Sequence, residues 1–395
     1  MKKIFSVFLI LLVFLLTITS LFGYSAKGTV FALNNIIDNS EFKSQSVYLM
    51  DSATQTEILE KNKEVRLPIA SMTKIMTLLL CFEAQERGEI SDEELITISE
   101  NASGMGGSQI FLETNGQYSV SQLIKGITVA SANDACVAIA ERLCGSEEEF
   151  VKKMNERANE LEMNNTCFAN CTGLPKQGQY SSAEDVAKMF CELLKHESYF
   201  KYSKIWMDEI KHPKDRITQI SNTNKLVKFY NGCDSGKTGY TSEAGHCLVA
   251  SAQRNGMRLI SVVISAPDSK TRFNEVSSMF NYGFSNFVNK IIIDNTKPLE
   301  LKVNVLGGKK DKLDVIAENS VSLFSKKNEK RAVDMDFEPT SKVKAPINKG
   351  DKVGVIRVYE NSIEIACVNV LANENINEKT YFDIIQNIGK EWAII

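Results

Sequence analysis

Three short strings constrain this chain more than any other feature: Ser71-Met72-Thr73-Lys74, Ser131-Ala132-Asn133 and Lys237-Thr238-Gly239, in that order. Each supplies a different part of an acyl-transfer site: a nucleophile with an amine base, a proton relay with an amide, and a cationic strand. Any fold that uses all three must build one pocket from three distant parts of the chain. Together they point to a serine enzyme whose nucleophile is activated by lysine rather than histidine.

The chemistry asks for these residue types. Ser71 and Lys74 are three apart at an expected helix start, which stacks them on one face. A serine hydroxyl is a poor nucleophile until a base takes its proton, and an ammonium cannot do so. Lys74 must therefore be neutral for part of the cycle. Burial, the positive helix end and a second nearby cation all push that way. The helix start also leaves backbone N–H groups free near Ser71 for an oxyanion. In the second string, Ser131 can pass a proton and the Asn133 amide can donate to a substrate carbonyl. In the third, Gly239 lets a substrate backbone lie against the edge, while Lys237 and Thr238 can hold a carboxylate. Taken singly, each string has a plainer reading: a helix-capping serine with a solvated lysine, a cap on the next helix, or a turn with a surface lysine. The apolar flanks of Lys74, Leu67 to Ala70 and Ile75 to Leu80, strain the first of these. None of the three histidines, His196, His212 and His246, has the setting of a Ser-His-Asp triad.

The chain has 395 residues, 43% hydrophobic and 24% charged, with a net charge of −3. Roughly two or three domains are expected, and nothing suggests a nucleic-acid partner. Lys2 and Lys3 precede an apolar run from Ile4 to Phe22, and Val30-Phe31-Ala32 fits a cleavage site, so residues 1–32 read as a secretory leader. An uncleaved anchor is the other reading, and either exports the rest. Nine cysteines, mostly in apolar runs and without a CxxC pair, are expected to pack as unpaired small hydrophobes.

A hairpin is expected from Ser46–Met50 and Glu57–Glu60, then a buried helix from Ser71 towards Gly88. Helices follow over Val120–Ala130, Asn133–Leu143, Glu147–Leu161 and Ser182–Leu194. Cys247–Ala252 and Met257–Ile264 read as strands joined at Asn255-Gly256, ahead of a helix from Thr271 to Val288. Strands, a helical block, then strands and a helix make an α+β fold: an antiparallel sheet covered by helices. Residues 33–292 are assigned to this domain. From about residue 293 to 375, alternating short strands predict a separate small all-β domain. Residues 376–395 read as an amphipathic helix, with Tyr381, Ile384, Ile385, Ile388, Trp392 and Ile395 on one face. It is expected either to pack on the β domain or to touch a membrane surface.

These residues resemble the serine-type D-alanyl-D-alanine carboxypeptidases, the low-molecular-mass penicillin-binding proteins. The similarity runs from about Val47 to the chain end. It includes Leu67-Pro-Ile-Ala-Ser-Met-Thr-Lys-Ile-Met-Thr77, Gly104-Met-Gly-Gly-Ser-Gln109, Ala130-Ser-Ala-Asn-Asp-Ala135, Asn170-Cys-Thr-Gly-Leu-Pro175, Lys237-Thr-Gly-Tyr-Thr241 and Ala266-Pro-Asp-Ser-Lys-Thr-Arg272. The resemblance implies a β-lactamase/transpeptidase-like fold. It implies that Ser71 forms the acyl-enzyme, Lys74 is its base, Ser131 relays the proton and Asn133 binds the peptide. Lys237, Thr238 and Arg272 would meet the terminal carboxylate, and the backbone N–H groups of Ser71 and Tyr240 would form the oxyanion hole. The implied substrate is a peptidoglycan stem peptide ending in D-Ala-D-Ala, with β-lactams as acylating inhibitors and no metal or organic cofactor. Two departures stand out. Ala132 replaces a common glycine, and Ser221-Asn-Thr-Asn-Lys225 lacks an arginine that some relatives carry. A β-lactamase is the nearest alternative, but Glu160 and Glu162 continue a helix onto an expected solvated turn. A non-catalytic wall-binding protein is the other alternative.

Overall fold

The structure is a computed structural model that describes residues 42–340, 342–383 and 385. The expected leader, residues 1–32, lies outside the described residues, as do Ile384, Ile388, Trp392 and Ile395 of the expected C-terminal helix. No helix among the described residues is long and apolar enough to cross a membrane.

The chain opens with the expected hairpin, β1 (Ser46–Asp51) and β2 (Glu57–Lys61). Asp51 tightens its turn by accepting from the N–H and hydroxyl of Thr54. A 3-10 turn, Ala70–Thr73, then leads into helix α1 (Lys74–Glu86), which is buried along most of its length. Helix α2 (Val120–Lys125) begins with a capping box between Ser119 and Gln122. The expected single helix to Ala130 widens into a π turn over Gly126–Ala130. Ile110 packs against Gly126 so closely that a Cβ there would lie 2.6 Å from its Cδ1. Helices α3 (Asn133–Cys144), α4 (Glu147–Glu160) and α5 (Ala183–Leu193) complete the helical block.

Strands β3 (Cys233–Thr241), β4 (Gly245–Arg254) and β5 (Met257–Ala266) follow. They join the first hairpin in one antiparallel sheet of order β2-β1-β5-β4-β3, with β3 at an edge. Lys237-Thr238-Gly239 therefore lies within an edge strand. Side chains of β1 alternate across the sheet: Tyr48 and Met50 pack on the helical block, Val47 and Leu49 on the opposite side. That opposite side is covered by helix α6 (Ser269–Asn286), through Val276, Met279 and Phe280. α6 stops short of the expected Val288 because β6 (Phe287–Ile293) starts there and pairs with a later strand.

The all-β part comprises β7 (Lys302–Asn304), β8 (Lys312–Ala317), β9 (Val321–Lys326), β10 (Val333–Pro339), β11 (Lys352–Glu360) and β12 (Ile363–Ala372). Five of them form a sheet of order β7-β8-β12-β11-β10 around Leu313, Val315, Val358 and Val370. β9 pairs with β6 instead, and Phe287 stacks on Phe324 at 5.1 Å. The expected boundary after residue 292 thus falls inside β6. Asn289 on that strand donates to both carboxylate oxygens of Asp51, at 3.1 and 3.0 Å. After Thr380 the backbone turns helical, with Tyr381, Phe382 and Ile385 exposed. All nine cysteines are free thiols, six of them buried.

Candidate active site

The three strings converge. Ser71 sits in the 3-10 turn at the head of α1, and Lys74 one turn on is fully buried, its Nζ 3.0 Å from Ser71 Oγ. The same Nζ donates to the carbonyl of Thr172 at 2.5 Å. Burial drives the Lys74 pKa below its usual 10.5. Cys136, Cys171 and Asp134 nearby oppose that shift without a direct ion pair.

The π turn delivers Ser131 in a left-handed conformation, φ +62°, immediately before α3. Wide turns of this kind recur at functional sites because they displace one residue from the helical repeat. Lys237 reaches across from β3 and donates to Ser131 Oγ at 2.7 Å and to its neighbour's carbonyl, that of Thr238, at 3.2 Å. Lys237 is buried, and its pKa is lowered well below 10.5, first by burial and then by the positive charges of Lys74 and Arg272. The plain alternative of a surface lysine is thereby overturned.

Asn133 donates through Nδ2 to Gly106 O at 2.7 Å, and its Oδ1 is buried without a partner. An orphaned buried acceptor beside a cleft is free for a donor on a ligand. The next residue, Asp134, is also buried. It accepts from the backbone N–H groups of Ile110, Leu112 and Ala135, which pins the 106–112 loop against Asn133.

Gly239 also has a packing role within the protein itself. A Cβ there would lie 2.7 Å from Ile69 O and 3.2 Å from Ser71 N. The missing side chain makes room for the protein's own nucleophile turn. Next to it, Tyr240 is exposed and stacks on His246 at 4.4 Å. Thr238 is buried apart from a small fraction. Arg272, in the first turns of α6, lies behind β3. Its Nη1 donates to Gly239 O at 3.0 Å and Cys247 O at 3.2 Å, and its Nε is buried without a partner. No carboxylate among the described residues pairs with it. Ser221-Asn-Thr-Asn-Lys225 braces the cleft: Asn224 donates to Ser235 O, and the Thr223 N–H to Val129 O.

The segment 170–174 was legible only as part of the resemblance, with no role attached. The structure wraps it around the nucleophile turn: Thr172 holds Lys74, and Gly173 packs on the Ala70–Ser71 peptide. Its role is invisible to motif reading because Thr172 acts through its carbonyl, which every residue has. Glu160 is paired with Arg157 at 2.9 Å on a solvated face, away from these groups. Among the described residues, no group of three or more His, Cys, Asp or Glu is placed to hold a metal ion.

Comparison with known proteins agrees with this geometry. The D-alanyl-D-alanine carboxypeptidase family matches residues 34–268, and the family of the penicillin-binding protein 5 C-terminal domain matches residues 288–378. The chain is 39% identical to the D-alanyl-D-alanine carboxypeptidase DacF of Bacillus subtilis over 352 residues, covering 89% of this chain and 90% of that protein. It is 31% identical to DacC of Escherichia coli, covering 95% and 93%. The crystal structure of penicillin binding protein 5 from Haemophilus influenzae superposes with a TM-score of 0.66 at 31% identity, covering 86% of this chain and 98% of that one. With the first family spanning more than half of its length, the chain belongs to the serine-type D-alanyl-D-alanine carboxypeptidases.

Proposed function

We propose that this enzyme removes the terminal D-alanine from peptidoglycan stem pentapeptides through an acyl-enzyme on Ser71. The observation that carries the reading is the fully buried Lys74 amine 3.0 Å from the Ser71 hydroxyl. In its neutral form Lys74 takes the hydroxyl proton while Oγ attacks the carbonyl of the penultimate D-alanine. The oxyanion accepts from the N–H groups of Ser71 and Tyr240. As the C–N bond breaks, Ser131 passes a proton to the departing amine, and Lys237, 2.7 Å from its oxygen, keeps that hydroxyl aimed into the cleft. Asn133 holds the peptide, and Thr238, Lys237 and Arg272 attract the terminal carboxylate. Water then hydrolyses the Ser71 ester, freeing the tetrapeptide and regenerating the hydroxyl. β-Lactams acylate the same oxygen.

The enzyme works outside the cytoplasm, exported by the leader, at the wall or the outer membrane face. Exposed Tyr381, Phe382 and Ile385 give the C-terminal segment an apolar surface for peripheral membrane contact. Cosedimentation with anionic vesicles tests that part. Loss of binding on truncation after residue 380 is expected, and unchanged binding rejects the helix as the contact.

Incubation with a pentapeptide ending in D-Ala-D-Ala is expected to release one equivalent of D-alanine per peptide. Benzylpenicillin is expected to leave a penicilloyl adduct on Ser71 that Ser71→Ala lacks. Sustained hydrolysis of the penicillin would instead make the protein a β-lactamase.

A further inference from the structure

The loop of residues 170–174 has an unusually complete set of polar ties. The Cys171 N–H donates to Glu147 Oε1 at 3.0 Å, and the Cys171 carbonyl accepts from Thr77 Oγ1 at 2.7 Å. After Cys171, Thr172 Oγ1 accepts from the Leu174 N–H and Gln179 Nε2 donates to Leu174 O, but most of the ties run through one side chain. Asn170 Oδ1 accepts from Thr172 N at 3.2 Å, Gly173 N at 2.7 Å and Thr172 Oγ1 at 3.3 Å. Its Nδ2 donates to Leu174 O at 2.8 Å. The Thr172 carbonyl takes no part in these ties and accepts instead from Lys74 Nζ.

That geometry has a chemical consequence. A neutral amine has two N–H donors and one lone pair. If one N–H is committed to a fixed carbonyl, rotation about the last side-chain bond is restricted, and the lone pair can be held towards Ser71. We propose that Asn170 is a positioning residue for the base: by fixing the Thr172 carbonyl, it aims the Lys74 lone pair at the Ser71 hydroxyl. The inference rests on the reading of Lys74 as base. Asn170 does not touch the reacting atoms. A purely structural role for Asn170 predicts only less folded protein.

The two roles separate in the pH profile of Ser71 acylation by benzylpenicillin. Asn170→Ala frees the Thr172 carbonyl to turn away. Misalignment of this kind lowers the plateau rate by on the order of 100-fold. A carbonyl acceptor also favours the ammonium form, so its loss lowers the Lys74 pKa further. The acid limb of the profile therefore moves to lower pH. Asn170→Asp keeps the acceptor for three donors, leaves Leu174 O to Gln179 Nε2 alone in place of the lost Nδ2 donor, and adds a negative charge. Its plateau is expected within about fivefold of wild type, by the same alignment argument, with the limb moved to higher pH. Rates are normalised to folded protein by thermal melts.

A plateau for Asn170→Ala within about threefold of wild type overturns the proposal, since alignment effects are far larger. So does a fall in plateau with an unmoved limb. Failure of the wild-type protein to be acylated at all rejects the earlier functional reading instead, so the two failures are distinguishable.

Discussion

Lys74→Ala is expected to slow acylation of Ser71 by about four orders of magnitude, the upper range for removing a general base. The amine is the group within hydrogen-bonding distance of Ser71 Oγ, and no histidine stands in for it. Lys74→Arg is expected to be as inactive, because a guanidinium does not give up its proton. The stability consequence has an unusual sign structure. Truncating a fully buried side chain leaves a cavity and orphans the Thr172 carbonyl, which costs about 2–5 kcal/mol. Against that, the wild-type fold holds this amine at a lowered pKa, while the unfolded chain keeps it near 10.5. Between those two values the folded state binds fewer protons than the unfolded one, so wild-type stability rises with pH across the window. The penalty is full below the lowered value and gone above 10.5. At neutral pH Lys74→Ala removes it and recovers part of the cavity cost. The wild type should gain stability over the mutant as pH climbs towards 10. Stopped-flow acylation with benzylpenicillin, plus melts at pH 7 and pH 9.5, measure both effects. A mutant acylated within tenfold of the wild-type rate would remove Lys74 from the mechanism.

Much of this site is legible in the sequence because its chemistry is carried by side chains in contiguous strings. Ser71, Lys74, Ser131, Asn133 and Lys237 were all named from the sequence, and the fold gathers them. What escaped was carried by backbone or by shape. β3 reads Cys-Asp-Ser-Gly-Lys-Thr-Gly-Tyr-Thr, a composition of turn formers with no apolar alternation, yet it is a nine-residue strand. Tertiary pairing with β4 and the fit of Gly239 against the nucleophile turn override its weak propensity. The hairpin Met207–Lys211 and Ile217–Ser221 was missed for a similar reason. Its strands hold mixed charged and apolar residues around a Pro213-Lys-Asp turn. The π turn before Ser131 leaves no mark in the apolar pattern, and the packing of Ile110 against Gly126 at its start joins residues 16 apart in the chain. The end of α6 was overrun by two residues because Phe287 and Val288 continue the helix's apolar pattern, and only pairing with β9 makes them strand. Lys237 shows the converse. Its identity was legible, but its burial and its bond to Ser131 came only with the fold.

Gly173→Ala is the second large effect, and it follows from space alone. Gly173 has φ +81°, and a Cβ on it would lie 2.0 Å from Ala70 O, 2.4 Å from Ala70 C and 2.9 Å from Ser71 N. All three atoms are backbone, so no side chain can swing aside. Nor can the turn retreat, because Gly239 already packs on it from β3, and Ala70 is itself held at φ +46°. The methyl must push the Ala70–Ser71 peptide or unseat the 170–174 loop, and either displaces Ser71 relative to Lys74. Overpacking of this kind costs about 1–3 kcal/mol, and a left-handed alanine adds about 1–2 kcal/mol. A displacement near 1 Å at the nucleophile lowers the acylation rate by on the order of 100-fold. Gly178 provides the internal control. It has almost the same backbone, φ +84°, but nothing lies within 4 Å of its added Cβ. Gly178→Ala therefore bears only the backbone cost and should acylate at the wild-type rate. Measured side by side, the pair isolates the contact with the nucleophile turn from the strain of the left-handed conformation. Equal acylation rates for the two variants would mean that the turn yields freely, and that the close packing of Gly173 and Gly239 around it does not position Ser71.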